Sequence, residues 1–462
     1  MNSRFLIVFL IFLLSGCSFF GEEKTETILL LYTNDEHGHI YENDGWYKGV
    51  ALYEMWEEEA ENCKNCSIVK ISGGDSYTGT AVSTFFRGAS MAETMGLLGY
   101  KVSALGNHDF DFGKTALADN SRLAKMPYIS SNLVSKDMKT VLEPYFVHYA
   151  GNTKMLFVAT ITEETKRITT AEVFMESLLT NPAAPVSRAI AKEKAPVNIV
   201  IAHESYKDAE KWVENLRQKP LVVFTGHDHK EAVEQIKGVF FVQNAGYLKS
   251  YAKVMIEKKG ENSKVVKAEI VPLKREISLK SKGSLEVKKT LDKYLVQLEK
   301  TAGAKLIFAD KPLDTPVLQK LFVCSMLESF PDYDAALSNP GGFRDSIKAG
   351  DVKKSDILSI FPFDNFIVAA TIKGEDLIYN ISLTENAYCL KNIEKIDAEK
   401  TYRVVTTDFI YKGGDGYRFT DSQGVTTTVS WRAPLEKFLL ESSRSGKNLT
   451  GAYEELLKSD KK

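Results

Sequence analysis

Five short segments set residues that ligate metals or move protons directly behind apolar runs. Thr33-Asn34-Asp35-Glu36-His37-Gly38 follows the run 28–32, Gly73-Gly74-Asp75 follows 67–71, and Gly106-Asn107-His108-Asp109-Phe110-Asp111 follows 102–105. Ile201-Ala202-His203 and Phe224-Thr225-Gly226-His227-Asp228-His229 repeat the arrangement. The chain has seven histidines, and five of them stand in these segments. A lone histidine is more often a satisfied polar residue than a ligand, but five sharing one kind of position beside Asp and Asn reverse that expectation. His39 and His148 lack such a context and receive no role. Mixed imidazole and carboxylate donors suit first-row ions of the Zn, Mn, Co or Fe type rather than Ca, which prefers oxygen cages. Two such ions about 3.5 to 4 Å apart need a shared carboxylate to offset their repulsion. Asp75, standing alone behind its run, is the natural bridge.

Segments spread over about two hundred positions can meet only if the fold carries their ends to one place. The runs 28–32, 67–71, 102–105, 156–160, 197–202 and 221–225 are too apolar for strands with one wet face, and predict sheets covered on both sides. An α/β layered domain over 27–258 follows, with its site at the carboxyl ends of the strands. Residues 259–300 are Lys-rich and read as a connector with one amphipathic helix, on which Leu291, Leu295 and Leu298 share a face. A second, smaller α+β domain is expected over 301–462, with strand-like runs at 366–372 and 402–407. No internal repeat or low-complexity tract interrupts this plan.

A length of 462 residues with 44% hydrophobic content gives each domain enough material for a core. The 59 basic and 61 acidic residues leave a formal net charge of −2, so no global field favours nucleic acid and any phosphate must be met locally. At the N-terminus Arg4 precedes an apolar run, 5–14, too short to span a bilayer. It reads as the core of a signal peptide over 1–16. Leu14-Ser15-Gly16-Cys17 resembles a bacterial lipobox, which implies acylation of Cys17, a tether over 17–26 and a lipid-anchored protein outside the cytoplasm. Cys63 and Cys66 form a Cys-x-x-Cys without a second pair at matching spacing, so a small surface disulfide is expected rather than zinc. Cys324 and Cys389 lie far apart among apolar residues.

The series Asp35-x-His37, Gly74-Asp75, Gly106-Asn107-His108-Asp109, His203 and Gly226-His227-x-His229 resembles the calcineurin-like metallophosphoesterase signature. Its wider context resembles the 5'-nucleotidase and UDP-sugar hydrolase family, which implies a four-layer β-sandwich flanked by helices, followed by a smaller α+β substrate-binding domain. Carried over by motif, Asp35, His37, Asp75 and His229 would hold one divalent ion, and Asp75, Asn107, His203 and His227 the other. His108 is then left for catalysis, with Asp111 three residues on and on the same face if the segment is helical. The implied reaction is in-line displacement at phosphorus by a metal-activated water, with His108 as imidazolium stabilising the transition state or assisting the departing oxygen.

In the second domain Asn339-Pro340-Gly341-Gly342-Phe343-Arg344, Pro362-Phe363-Asp364-Asn365, and Phe409 with Gly413-Gly414-Asp415-Gly416 resemble the family's nucleoside-gripping motifs. They imply that Phe363 and Phe409 sandwich a base, that Asp415 meets ribose, that Asn339 and Asn365 meet base or sugar, and that Arg344 meets substrate oxygens. The chain departs from the family pattern at Gln319-Lys320-Leu321, where an arginine is usual, and at Asp364 and Ser205, where glycine is usual. The substrate implied is a nucleotide or nucleotide-sugar. Two other readings share these residues: a hydrolase of another ester, such as a cyclic nucleotide or the sulfur-linked group of thiosulfohydrolases, and a surface lipoprotein that binds nucleoside without turnover.

Overall fold

The computed structural model describes residues 25–169, 171–276, 278–420 and 423–459; Cys17 and the expected signal peptide lie outside them. Fourteen strands belong to the first half of the chain, in order β1 (Glu26–Thr33), β2 (Cys66–Ser72), β3 (Val102–Ala104), β4 (Tyr128–Ile129), β5 (Leu133–Val134), β6 (Tyr145–Ala150) and β7 (Thr153–Ile161), then β8 (Leu178–Leu179), β9 (Val197–His203), β10 (Val222–Thr225), β11 (Ala232–Ile236), β12 (Val239–Gln243), β13 (Ser250–Lys259) and β14 (Asn262–Pro272). Two six-stranded sheets result, ordered β14-β13-β1-β2-β3-β4 and β11-β12-β10-β9-β7-β6, and β5 pairs with β8 in a short antiparallel ribbon.

The near-continuous apolar runs are explained by what covers each sheet. One alternation of β1, Ile28, Leu30 and Tyr32, faces Phe157, Ile199, Ile201 and Phe224 of the other sheet. The opposite alternation, Leu29 and Leu31, packs with Trp56, Met91, Met95 and Leu291 from the helices Lys48–Asn62, Ala89–Leu98 and Lys282–Ala302. Leu156, Val158 and Val200 of the second sheet meet Ile190 and Trp212 on its far side. Helix, sheet, sheet, helix is therefore the layer order, and each fully buried aliphatic or aromatic side chain adds roughly 1.5 to 3 kcal/mol to holding it.

The expected connector differs from expectation at its start. Residues 262–272 form β14, antiparallel to β13 across a bulge at Met255/Ile256, so the first sheet continues past 258. A turn at Gly260 folds this edge strand, in which Val and Ile are interspersed with Lys and Glu, back on β13. The helix that follows, Lys282–Ala302, packs its Val287 and Leu291 on the first sheet's outer layer.

Among the described residues the second half holds a five-stranded mixed sheet and a two-stranded ribbon. Its strands are β15 (Lys305–Ala309), β16 (Ala335–Leu337), β17 (Gly350–Lys353), β18 (Phe366–Lys373), β19 (Tyr388–Leu390), β20 (Thr401–Thr407) and β21 (Val425–Ser430). The sheet order is β19-β16-β20-β18-β21, and β15 pairs β17. A core around Phe322, Phe361 and Trp431 fills one face. Cys324, in the helix Thr315–Ser329, and Cys389, in β19, form a disulfide that sequence spacing did not suggest, while Cys63 and Cys66 pair as expected.

Candidate active site

Strand register brings the five segments to one rim. β1 and β2 run parallel with Thr33 beside Ser72, and β2 and β3 run parallel with Ser72 beside Ser103. Asp35, Asp75 and Asn107 thus leave the first sheet on the same side. In the second sheet β9 and β10 are parallel with Ala202 beside Thr225, which sets His203 level with Gly226. The two sheets are tied at this rim by Tyr32 Oη donating to the Thr225 carbonyl at 2.7 Å, and by the His227 N–H donating to Asp35 Oδ2 at 2.9 Å.

Two clusters of donor atoms form there. Asp35, His37 and His229 make one, Asp75, His203 and His227 the other, each with ligand atoms within 4.8 Å of one another. The Asp75 carboxylate stands between them, its Oδ2 3.2 Å from His203 Nε2 and 3.8 Å from His37 Nε2. Backbone carbonyls of Thr78 and Gly73 accept from Nδ1 of His37 and His203, both at 2.8 Å. Each bond fixes a tautomer whose Nε2 lone pair faces the cluster. His37 Nε2, His203 Nε2 and Asn107 Oδ1 are buried without a hydrogen-bond partner among the described residues. Buried polar atoms rarely stay unsatisfied, so this donor set fits a pair of divalent ions.

Electrostatics agree. Burial raises the Asp35 carboxyl, but the His229 hydrogen bond and the nearby His203 outweigh it and hold it at about 2. Asp75 is likewise held well below its ordinary range, with His203 and His108 overriding burial. Burial lowers His203, yet Asp75 and Asp35 raise it, because the two carboxylates set a field that favours positive charge at this cluster. Burial keeps His37 and His227 low and therefore neutral, as ligands must be.

Backbone strain concentrates at the same residues. Asp35, His37, Asp75, His227 and His229 all take positive φ, between 46° and 76°. Non-glycine residues adopt that region at a cost, and persist in it only where the surroundings over-determine them. Gly106 makes room for this, since a Cβ there would meet Asp75 Oδ1 at 2.1 Å. Asp109 does the fixing, accepting the N–H groups of Asp75, Ser76 and Gly106 at 2.8 to 3.0 Å. The sequence placed Asp109 inside the motif but gave it no task; its spacing beyond Gly106 was the available signal.

His108 and Asp111 meet without a helix. Residues 107–112 are turns and the helix Gly113–Ala124 begins after them, yet His108 Nδ1 lies 2.9 Å from Asp111 Oδ2. Burial lowers His108, but Asp111 and Asp75 together raise it above its ordinary value. Arg344 of the second half donates from Nη2 to His108 Nε2 at 3.1 Å, and its guanidinium lies over Phe363. Arginine has only donors, so in this arrangement Nε2 accepts and the Nδ1–H donates to Asp111.

A cavity of about 560 Å³ opens over the rim. Its lining holds thirteen of the fifteen candidate site residues, including Asn339, Arg344, Phe363, Asn365, Phe409 and Asp415; Asp35 and His203 lie fully buried behind it. Asn339 follows β16 and Phe409 follows β20, parallel neighbours, while Phe363 and Asn365 precede antiparallel β18, so all come to one sheet edge. Asn339 Nδ2 donates to Asp415 Oδ2 at 2.7 Å, and Gly414 clears the space beneath the Phe409 ring. Glu164, Ile168, Thr169 and Glu172, which the sequence did not single out, supply a wall from the first half. Among the departures from the family pattern, Asp364 lines the cavity and binds Arg432 at 3.1 Å, Ser205 caps the helix Tyr206–Val213, and Gln319 is buried in the second core, away from the cavity lining.

Comparison with known proteins agrees with this architecture. Residues 28–231 match the model of calcineurin-like phosphoesterases and residues 314–384 that of the 5'-nucleotidase C-terminal domain. Protein UshA of Yersinia enterocolitica is 25% identical over 87% of this chain and 88% of its own length. The 5'-nucleotidase of Vibrio cholerae is 24% identical over 91% of each. The crystal structure of the 5'-nucleotidase precursor from Thermus thermophilus superposes with a TM-score of 0.75, at 21% identity, covering 90% of this chain and 96% of that one.

Proposed function

We propose, from the premise that this chain carries a calcineurin-like phosphoesterase domain joined to a 5'-nucleotidase C-terminal domain, that it hydrolyses the phosphate ester of a nucleotide held between the two. The observation that carries this reading is the shared cavity, with metal-ligating side chains on one wall and Asn339, Arg344, Phe363, Asn365, Phe409 and Asp415 on the other. Asp35, His37, Asp75 and His229 would hold one divalent ion, and Asp75, Asn107, His203 and His227 the other. When bound, the ions supply a water of lowered pKa and neutralise phosphoryl oxygens.

The chain's own residues do the rest. A phosphoryl oxygen draws Arg344 away from His108, which frees Nε2 to hold a proton toward the departing ester oxygen. Asp111 orients the ring through Nδ1 and favours its cationic form. Phe363 and Phe409 stack on the base, Asp415 and Asn339 accept and donate to the sugar, and Asn365 meets base or sugar. Ile168 and Thr169 of the first half add an apolar and a hydroxyl group to the wall opposite these residues.

The reading extends to location. The apolar run before Leu14-Ser15-Gly16-Cys17 supports export and acylation of Cys17, with the domains outside the cytoplasm and tethered to the membrane. No helix among the described residues is long and apolar enough to cross a membrane.

Metal-reconstituted protein assayed for phosphate release on AMP, UDP-glucose, a 2',3'-cyclic nucleotide and an aryl phosphate tests the proposal. Turnover of AMP or UDP-glucose well above the cyclic ester is expected. Two bound ions with no hydrolysis of any of these sinks it in favour of a binding protein.

A further inference from the structure

His39, which the motif leaves without a task, belongs to a half-buried network beside the metal rim. His39 Nδ1 lies 2.8 Å from Glu42 Oε1, and the same carboxylate oxygen takes the ammonium of Lys48. Lys48 is only 4% exposed, and its ammonium also donates to the main-chain carbonyl of Tyr247 at 2.8 Å. A lysine buried to that degree is rare and persists only where it is paired. Two hydrogen-bond partners and the Trp46 ring engage it here, one of the partners a backbone carbonyl 199 residues away in sequence.

The loop so gripped is strained and lies across the ligands. Tyr247 and Leu248 both take positive φ, 55° and 46°, a conformation that a tyrosine or leucine does not choose unaided. The Tyr247 N–H donates to the Asp35 carbonyl at 2.7 Å. Its ring packs against His229, His39 and His37, with centroids at 4.7, 4.8 and 5.4 Å. All three residues of one donor cluster, Asp35, His37 and His229, therefore touch this single residue. The other cluster, Asp75, His203 and His227, has no ring contact or hydrogen bond with it among the described residues.

We infer that Lys48, braced by Glu42 and His39, is a positioning residue that pins the Tyr247 loop across Asp35, His37 and His229 and thereby sets the affinity of that one metal site. This rests on the ligand sets proposed above. Lys48 meets neither substrate nor ion; it acts by denying the two imidazoles other rotamers and by holding the loop in its strained form. Groups that orient ligands from behind typically alter metal affinity by about 10- to 100-fold.

The test is metal titration of the full mature chain, read by elemental analysis after equilibration at buffered free Mn or Zn. In wild type two equivalents are expected; failure to bind two ions overturns the ligand sets and not merely this inference. In Lys48→Met one equivalent should persist at wild-type affinity while the other requires about 10- to 100-fold more free metal. At saturating metal its turnover returns and KM for substrate stays unchanged, as a direct substrate role would not allow. Tyr247→Leu, which uncovers no buried charge, should show the same split if Lys48→Met does not fold, and Tyr247→Phe, which keeps the ring, should show little. Two ions bound at wild-type affinity in both Lys48→Met and Tyr247→Leu, or parallel weakening of both sites, overturns the inference.

Discussion

The two walls of the cavity are built on different physical terms. On the metal side, Asp35, Asp75, Asn107 and His203 are at most 1% exposed, leave parallel strands in fixed register, and sit in backbone held by the Asp109 carboxylate and by bonds between sheets. On the other side Asp415 is exposed, Phe363 and Phe409 are half-buried, and all three stand on turns or a four-residue helix. Ligands that hold ions close together need sub-ångström placement, which strand ends inside a sandwich provide. A stacking surface tolerates movement, and turns suffice for it. The cost of change should differ accordingly between the walls.

The largest effect is expected at the bridge. Asp75→Asn removes the charge shared by both clusters, so both ions should leave together and phosphatase activity should fall to background, seen by elemental analysis beside the assay. The melting temperature should then no longer respond to added metal, whereas wild type gains about 2.7 kcal/mol when free metal stands a hundredfold above its dissociation constant. Retention of one tightly held ion would show that the clusters are independent and that the metal wall is less unified than its register suggests.

His108→Ala comes next, with an expected loss of about 100- to 10,000-fold in kcat while two equivalents of metal remain. Asp111→Asn sharpens the point through pH. Asp111 raises His108, so its removal lowers the pH above which the imidazolium is lost, and the alkaline limb of kcat should move to lower pH. A limb that does not move, or that moves upward, would assign the proton to another group.

Phe409→Ala should be milder and fall on binding, costing about 1 to 3 kcal/mol in kcat/KM through KM with metal content unchanged. Loss of metal in this variant would mean that the walls are coupled and the contrast drawn above is wrong. Smallest for chemistry is Cys324→Ala with Cys389→Ala. The disulfide closes a loop of sequence separation 65 in the second half, so unfolding should ease by about 2 to 4 kcal/mol in denaturant titration. Hydrolysis by the folded fraction should be untouched.

Much of the metal wall was legible before any fold was known. Apolar runs followed at once by Asp, Asn or His, five times over, announced strand ends and ligands together, because a buried strand and the polar group it delivers are adjacent in sequence. The second wall was legible through motif resemblance alone, since Gly-Gly pairs and a Phe after Pro mark turns and cores equally well. The segment 262–272 misled for a related reason: Val265, Val266, Ile270 and Val271 are interspersed with Lys264, Lys267 and Glu269 in a Lys-rich stretch, which masked the pairing with β13. The task of His39 was hidden too, because its network runs through Tyr247, far along the chain.

By itself, then, the chain's order of residues determined the donor types, the strands that carry them and the layered class of fold, all of which are short-range properties. That the donors gather in two groups, that Asp75 faces both, that Arg344 reaches His108 and that Lys48 grips the Tyr247 loop were decided only by tertiary structure. Those contacts join residues up to 236 positions apart, and side chains so distant are brought within bonding range by sheet register and layer packing, not by any local preference.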